Sequence, residues 1–160
     1  MRVDNKLLDK SNLTQPGTYL LILENRKKIT LSVGALGEIS FPKGYYIYVG
    51  SAFGPGGLRG RLRHHISPVK QPRWHVDYLR PQMTLSEIWY TNDKKKREHD
   101  WAKALSSMPG TSIPKRGFGS SDCRCETHLF HYNEIPRDVL NFYISNTNSY
   151  ERIKTIYRFI

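Results

Sequence analysis

Glu98 lies in a segment whose helical spacing places it on one face with Trp101, Ala102 and Leu105. An ionised carboxylate buried there without a partner would cost several kcal/mol, roughly, so the pattern calls for a cation, a metal ion or a donor network. The same spacing fits a Glu at the edge of the stripe, paired at the surface with Lys94 or Lys95. Arg61 borders a second apolar stripe of Leu58, Leu62 and Ile66. Its planar fork donates two parallel hydrogen bonds and stays charged at any working pH, which suits a phosphate. Flanked by Arg59 and Arg63, it fits a solvated basic face equally well. Tyr19 and Tyr48 each stand beside a glycine, in Gly17-Thr18-Tyr19 and Tyr48-Val49-Gly50. Strand tyrosines are commonly core residues, but the glycines permit close approach, and a phenol near a metal can orient or deprotonate a water.

Other polar residues divide between structure and chemistry. His65 either packs beside Ile66 or meets a phosphate, and His75 and Asp77 read first as a hydrogen-bonded structural pair and second as groups serving a cleft. Asp122, Cys123, Cys125 and His128 include zinc-ligand types, but Cys-x-Cys with one His lacks the second well-spaced pair of a structural zinc site. A tight packed turn near the cleft is the preferred reading. Gly54-Pro55-Gly56-Gly57 lacks the Gly-Lys-Ser/Thr ending of a nucleotide-binding loop, so nucleotide hydrolysis is not supported. A helix N-terminus there can still hold a phosphate. Arg59, Arg63, Lys70 and Arg73 are candidates for backbone contacts, which add affinity rather than sequence choice.

Positioning these groups takes strands and helices together. Residues 1–16 are polar and turn-rich and read as an arm leading to a fold that begins at Gly17. Residues 18–23, 28–33, 38–41 and 45–49 are rich in Tyr, Ile, Leu, Val and Thr and predict one small antiparallel sheet. Helices are predicted at 58–66, 74–79 and 94–108, the last burying Trp101, Ala102, Leu105 and Met108, with strands at 85–91 and 127–132. In the tail, residues 139–144 fit a helix and 153–160 fit a strand or a helix. The expected class is α+β: a small, mainly antiparallel central sheet flanked by helices, forming a domain at 17–132 with an extension at 133–160 packed on it.

Bulk properties narrow the partners. A chain of 160 residues fits one domain, and none of its apolar runs reaches the ~18 residues of a membrane span. The first residues lack the apolar stretch of a signal peptide, and two cysteines are too few for a disulfide scaffold, so a cytoplasmic protein is expected. A formal charge of +11 and a pI near 9.8 point to a polyanion. The excess is concentrated early: residues 1–80 carry a net +8 and residues 81–160 a net +3.

Taken in order, Gly17-Thr18-Tyr19, Tyr48-Val49-Gly50, Arg61-Leu62 with His65, and Glu98 resemble the GIY-YIG nuclease superfamily. A longer series resembles one branch of it, the domain of unknown function 123, over about residues 15–132: Gly50-Ser51-Ala52, Gly56-Gly57-Leu58, Trp74-His75-Val76-Asp77-Tyr78-Leu79, Gly117 to Cys125, and His128-Leu129. The match departs from the superfamily in the 28 residues between Tyr19 and Tyr48, attributed to an inserted strand pair at 25–43, and in Thr18 standing where the motif has Ile.

The resemblance implies a one-metal endonuclease hydrolysing phosphodiester bonds, of DNA more than RNA. In it Glu98 would hold one Mg²⁺ or Mn²⁺ and Arg61 would meet the charge on the phosphate. Tyr19, helped by Tyr48 or His65, would activate the water. Gly50, Ser51, Arg59, Arg63, Lys70, Arg73 and His75 would contact the nucleic acid. Branch members are sometimes joined to a DNA-repair glycosylase, which is therefore a conceivable partner. The rival expectation is a non-catalytic nucleic-acid-binding or repair-accessory module on the same fold. Oligomeric state is not legible.

Overall fold

The computed structural model describes residues 8–9, 11–67, 71–135, 137–145 and 155–158. Lys70, residues 1–7, and 153–154 and 159–160 of the tail lie outside them.

The central sheet is built from β1 (Gly17–Asn25), β4 (Gly44–Ala52), β5 (Thr84–Thr91), β6 (Leu129–Tyr132) and β7 (Thr155–Arg158), in the order β6-β4-β1-β5-β7. Every neighbouring pair is antiparallel. β1 lies in the middle, and its side chains alternate between two cores, as the two-residue period of a strand requires. Tyr19, Leu21 and Leu23 enter one core with Leu58 and Leu62 of α1 (Gly57–Ile66). Leu20 and Ile22 enter the other with Trp101 and Leu105 of α2 (Glu98–Ser106) and Leu140 and Ile144 of α3 (Arg137–Ser145). The fold is therefore α+β, with an antiparallel sheet between helices.

β2 (Ile29–Ser32) and β3 (Glu38–Phe41) fall between the two tyrosine motifs and pair only with each other. The expectation of one sheet from the first four strands is thus corrected to two sheets. The pair packs Ile39 and Phe41 onto the α1 side of the core, because its alternation leaves one apolar face to bury.

Three other boundaries move. The helix expected at 94–108 begins only at Glu98, because the Asp93 carboxylate accepts from the Lys95 amide and the Arg97 amide donates to Thr18 Oγ1, so turn bonding competes with helix. The helix expected at 74–79 is a short 3-10 turn, His75–Tyr78. The fold also reaches back before Gly17: Leu8 and Leu13 are buried in the core, and Ser11–Thr14 forms a 3-10 turn. Asn12 accepts from the Tyr90 hydroxyl and, through its carbonyl, from Asn92. At the other end, β7 lengthens the sheet alongside β5. Among the described residues no helix is long and apolar enough to cross a membrane.

Candidate catalytic cleft

Antiparallel pairing sets Tyr19 opposite Gly50, so the two glycine motifs meet across β1 and β4. A Cβ on Gly50 would lie 2.4 Å from the Tyr19 hydroxyl oxygen, and one on Gly17 would lie 2.1 Å from the Thr91 carbonyl. Both glycines are explained by close approach within the fold itself.

Tyr19 is fully buried, with its Oη 2.7 Å from Nε2 of His65 on α1. Burial pushes the Tyr19 phenol well above its ordinary range, and the Arg61 guanidinium offsets this only in part. Burial also lowers His65 below the usual 6.5, against the pull of Asp77. The phenol therefore keeps its proton and donates it to a neutral imidazole, whose own proton sits on Nδ1. That nitrogen faces Asp77 Oδ1 at 3.7 Å, too long for a hydrogen bond, and neither atom has another hydrogen-bond partner.

Asp77 closes the turn that carries the next wall. Its Oδ2 accepts from the Arg73 and Trp74 amides and lies 2.9 Å from His64 Nε2. Burial alone would raise its pKa, but the facing His65 ring, the His64 imidazole and the two amides hold it far below the usual carboxylate range. The turn presents Trp74, and the Arg61 guanidinium stacks 4.0 Å above its ring. His75 and Asp77 do not pair: His75 Nδ1 accepts from the Gly119 amide, leaving Nε2–H as a donor.

Glu98 begins α2 and is mostly buried. Its Oε2 accepts from Ser51 Oγ at 3.0 Å, its Oε1 lies 3.3 Å from His128 Nδ1, and Lys96 Nζ is 3.5 Å away. Burial opposes ionisation, yet His128, Ser51 and Lys96 together hold the pKa below its ordinary value, so the carboxylate is charged.

These groups border a cleft of about 510 Å³. Tyr48, Gly50, Ser51, Arg61 and Glu98 line it, as do Arg73 and His75. Tyr19 and His65 stand behind that lining. Arg59 is turned away, donating to the Leu8 carbonyl, and Arg63 is exposed on α1 outside the lining. Sequence reasoning missed Lys96, His99, and Trp74 as the platform for Arg61, and gave Gly119 and Ser121 no role. The first two flank Glu98 closely, which was the available signal. Three cations (Arg61, Arg73 and Lys96) with Glu98 and Asp122 make the lining polar, unlike the apolar pockets that take small molecules.

A family model described as domain of unknown function DUF123 matches residues 18–149. No curated protein matches the chain, and no solved structure does.

Proposed function

We propose that this chain, which belongs to the DUF123 family, is a metal-dependent endonuclease of the GIY-YIG type acting on nucleic acid, DNA more than RNA. One observation carries the reading: Arg61 from α1 and Glu98 from α2 border the same cleft as Tyr48, with Tyr19 directly behind.

The residues at Glu98 fit a hard divalent ion, since the carboxylate is held charged and the Ser51 hydroxyl adds a second oxygen donor. Mg²⁺ or Mn²⁺ bound there would polarise a phosphate oxygen and stabilise the leaving 3′ oxygen. Arg61, its plane set by Trp74, pairs with the charge that builds on the phosphate. His75 Nε2–H and Arg73 hold neighbouring phosphate oxygens.

Tyr48 is the phenol that borders the cleft, and it orients the attacking water. Tyr19 relays the proton: its hydroxyl passes its own proton to His65 Nε2 as it takes one from the water at the Gly50 edge. Asp77 stabilises the resulting imidazolium. Products carry 5′ phosphate and 3′ hydroxyl.

The test is cleavage of labelled single-stranded, duplex, flap and junction DNA and of RNA, with and without Mg²⁺ or Mn²⁺. Cutting that requires the ion and disappears in Glu98→Ala and Arg61→Ala supports the reading. Salt-sensitive binding with no cutting of any substrate, unchanged in Glu98→Ala, overturns it in favour of a binding module, for which the cationic rim would suffice.

A further inference from the structure

We infer that His99, Cys123, Cys125 and His128 form a binding site for one zinc ion, which ties the loop walling the cleft to the start of α2.

Residues 107–128, between α2 and β6, contain no helix or strand beyond one isolated bridge at Ser112. A connection that long inside a compact domain is usually functional, and a metal clip is one way to close it. This one supplies cleft residues Gly119, Ser121, Asp122 and Cys123.

Ligand atoms of His99, Cys123 and Cys125 lie within 4.8 Å of one another. Zinc–sulfur and zinc–nitrogen bonds of about 2.3 and 2.0–2.1 Å set sulfur and nitrogen neighbours in a tetrahedron roughly 3.5 Å apart. Cys123 Sγ and His128 Nε2 are separated by 3.5 Å, so His128 stands at ligand spacing from one of the three and completes the set once its ring moves in toward the other two. The other nitrogen of that ring is buried without a hydrogen bond, 3.3 Å from Glu98 Oε1. The carboxylate draws the ring proton to Nδ1 and leaves the Nε2 lone pair directed at the sulfur, the arrangement by which carboxylates orient metal-binding histidines.

Two thiolates and two imidazoles select zinc over Mg²⁺ or Ca²⁺, so this site is distinct from the oxygen donors of Glu98 and Ser51. On binding, both thiols release their protons to solvent. Sequence spacing argued against zinc because Cys-x-Cys with one His lacks a second well-spaced pair; His99, brought in by α2, joins His128 to supply it.

The full chain, expressed in zinc-supplemented medium and purified without a metal-binding tag, should carry about one zinc by mass spectrometry. The doubly substituted Cys123→Ser, Cys125→Ser chain should carry none. Cobalt added to the metal-free chain should give thiolate-to-cobalt charge-transfer absorption. His99→Ala alters an exposed side chain, leaves the fold intact, and should weaken zinc at least about tenfold in chelator competition; it decides the matter if the cysteine variant does not fold. A folded, reduced wild-type chain that takes up neither zinc nor cobalt overturns the proposal, as does a native Cys123–Cys125 disulfide. Zinc content is independent of cleavage, so failure of the nuclease reading leaves this result unaffected.

Discussion

The Tyr19 hydroxyl and His65 Nε2 form a 2.7 Å hydrogen bond in the core, on a strand and a helix separated by 46 positions in the chain. Tyr19→Phe strips the imidazole of its partner without enlarging the cavity. A buried acceptor left unpaired costs about 1–3 kcal/mol, so the urea midpoint should fall accordingly. An unchanged midpoint would show that the bond contributes nothing to the native state.

Acid should destabilise the protein in two stages. Burial holds His65 and His75 below the histidine value of 6.5 in the native state, so just below that pH the unfolded chain binds more protons. Stability therefore falls as pH drops through this window. Asp77 adds a second loss below its ordinary 3.8, because its native value is depressed and its carboxylate contribution disappears only on protonation. Urea midpoints measured across both windows check the order, and a midpoint constant from neutrality down to 3.8 would refute the first stage.

Two glycines should respond oppositely to alanine. At Gly50 the new methyl meets the Tyr19 ring at 2.4 Å, and the resulting shift should cost about 1–3 kcal/mol. At Gly60, inside α1 with nothing within 4 Å, the same change should stabilise by roughly 0.5–1 kcal/mol. Thermal unfolding of the two variants side by side tests the packing.

Arg61→Lys preserves charge but loses the planar fork stacked on Trp74. Under the nuclease reading kcat/KM should drop about a hundredfold while stability stays within ~0.5 kcal/mol. Equal activity in the lysine variant would mean that a point charge suffices at the phosphate.

Arg137 at the start of α3 donates to buried Glu87 on β5, whose other oxygen accepts from Trp89. Arg137→Ala removes a charged hydrogen-bond partner from a buried carboxylate and should cost about 1.5–3 kcal/mol. Arg137→Lys should recover part of that loss in the same unfolding assay.

Much of this architecture was legible because local patterns agreed with the global fold. Alternation marked the paired strands, and the Leu58–Leu62–Ile66 stripe marked α1 within one residue of its start. The same alternation could not tell that β2 and β3 pair apart from the main sheet, since strand period says nothing about partners. Helical spacing extended α2 back to residue 94, where side-chain bonding to the backbone makes a turn instead. In the cleft, the order of the motifs rather than any one residue type singled out Tyr48, Arg61 and Glu98, and all three line it. Tyr19, however, has no exposed surface, and its contact with His65 is purely tertiary. His99 stayed hidden because its neighbours come from a loop more than twenty positions away.

β1 is hydrogen-bonded on both edges and buried on both faces, so the amide of Tyr19 can exchange with solvent deuterium only when the whole sheet opens. The loop at 107–128 contains no helix or strand beyond one isolated bridge at Ser112, so its amides rest on turn bonds. Differences in ligand shape are therefore expected to be met by the wall carrying Ser121 and Asp122, within the limits its tie to α2 sets, while the Tyr19–His65 geometry stays fixed.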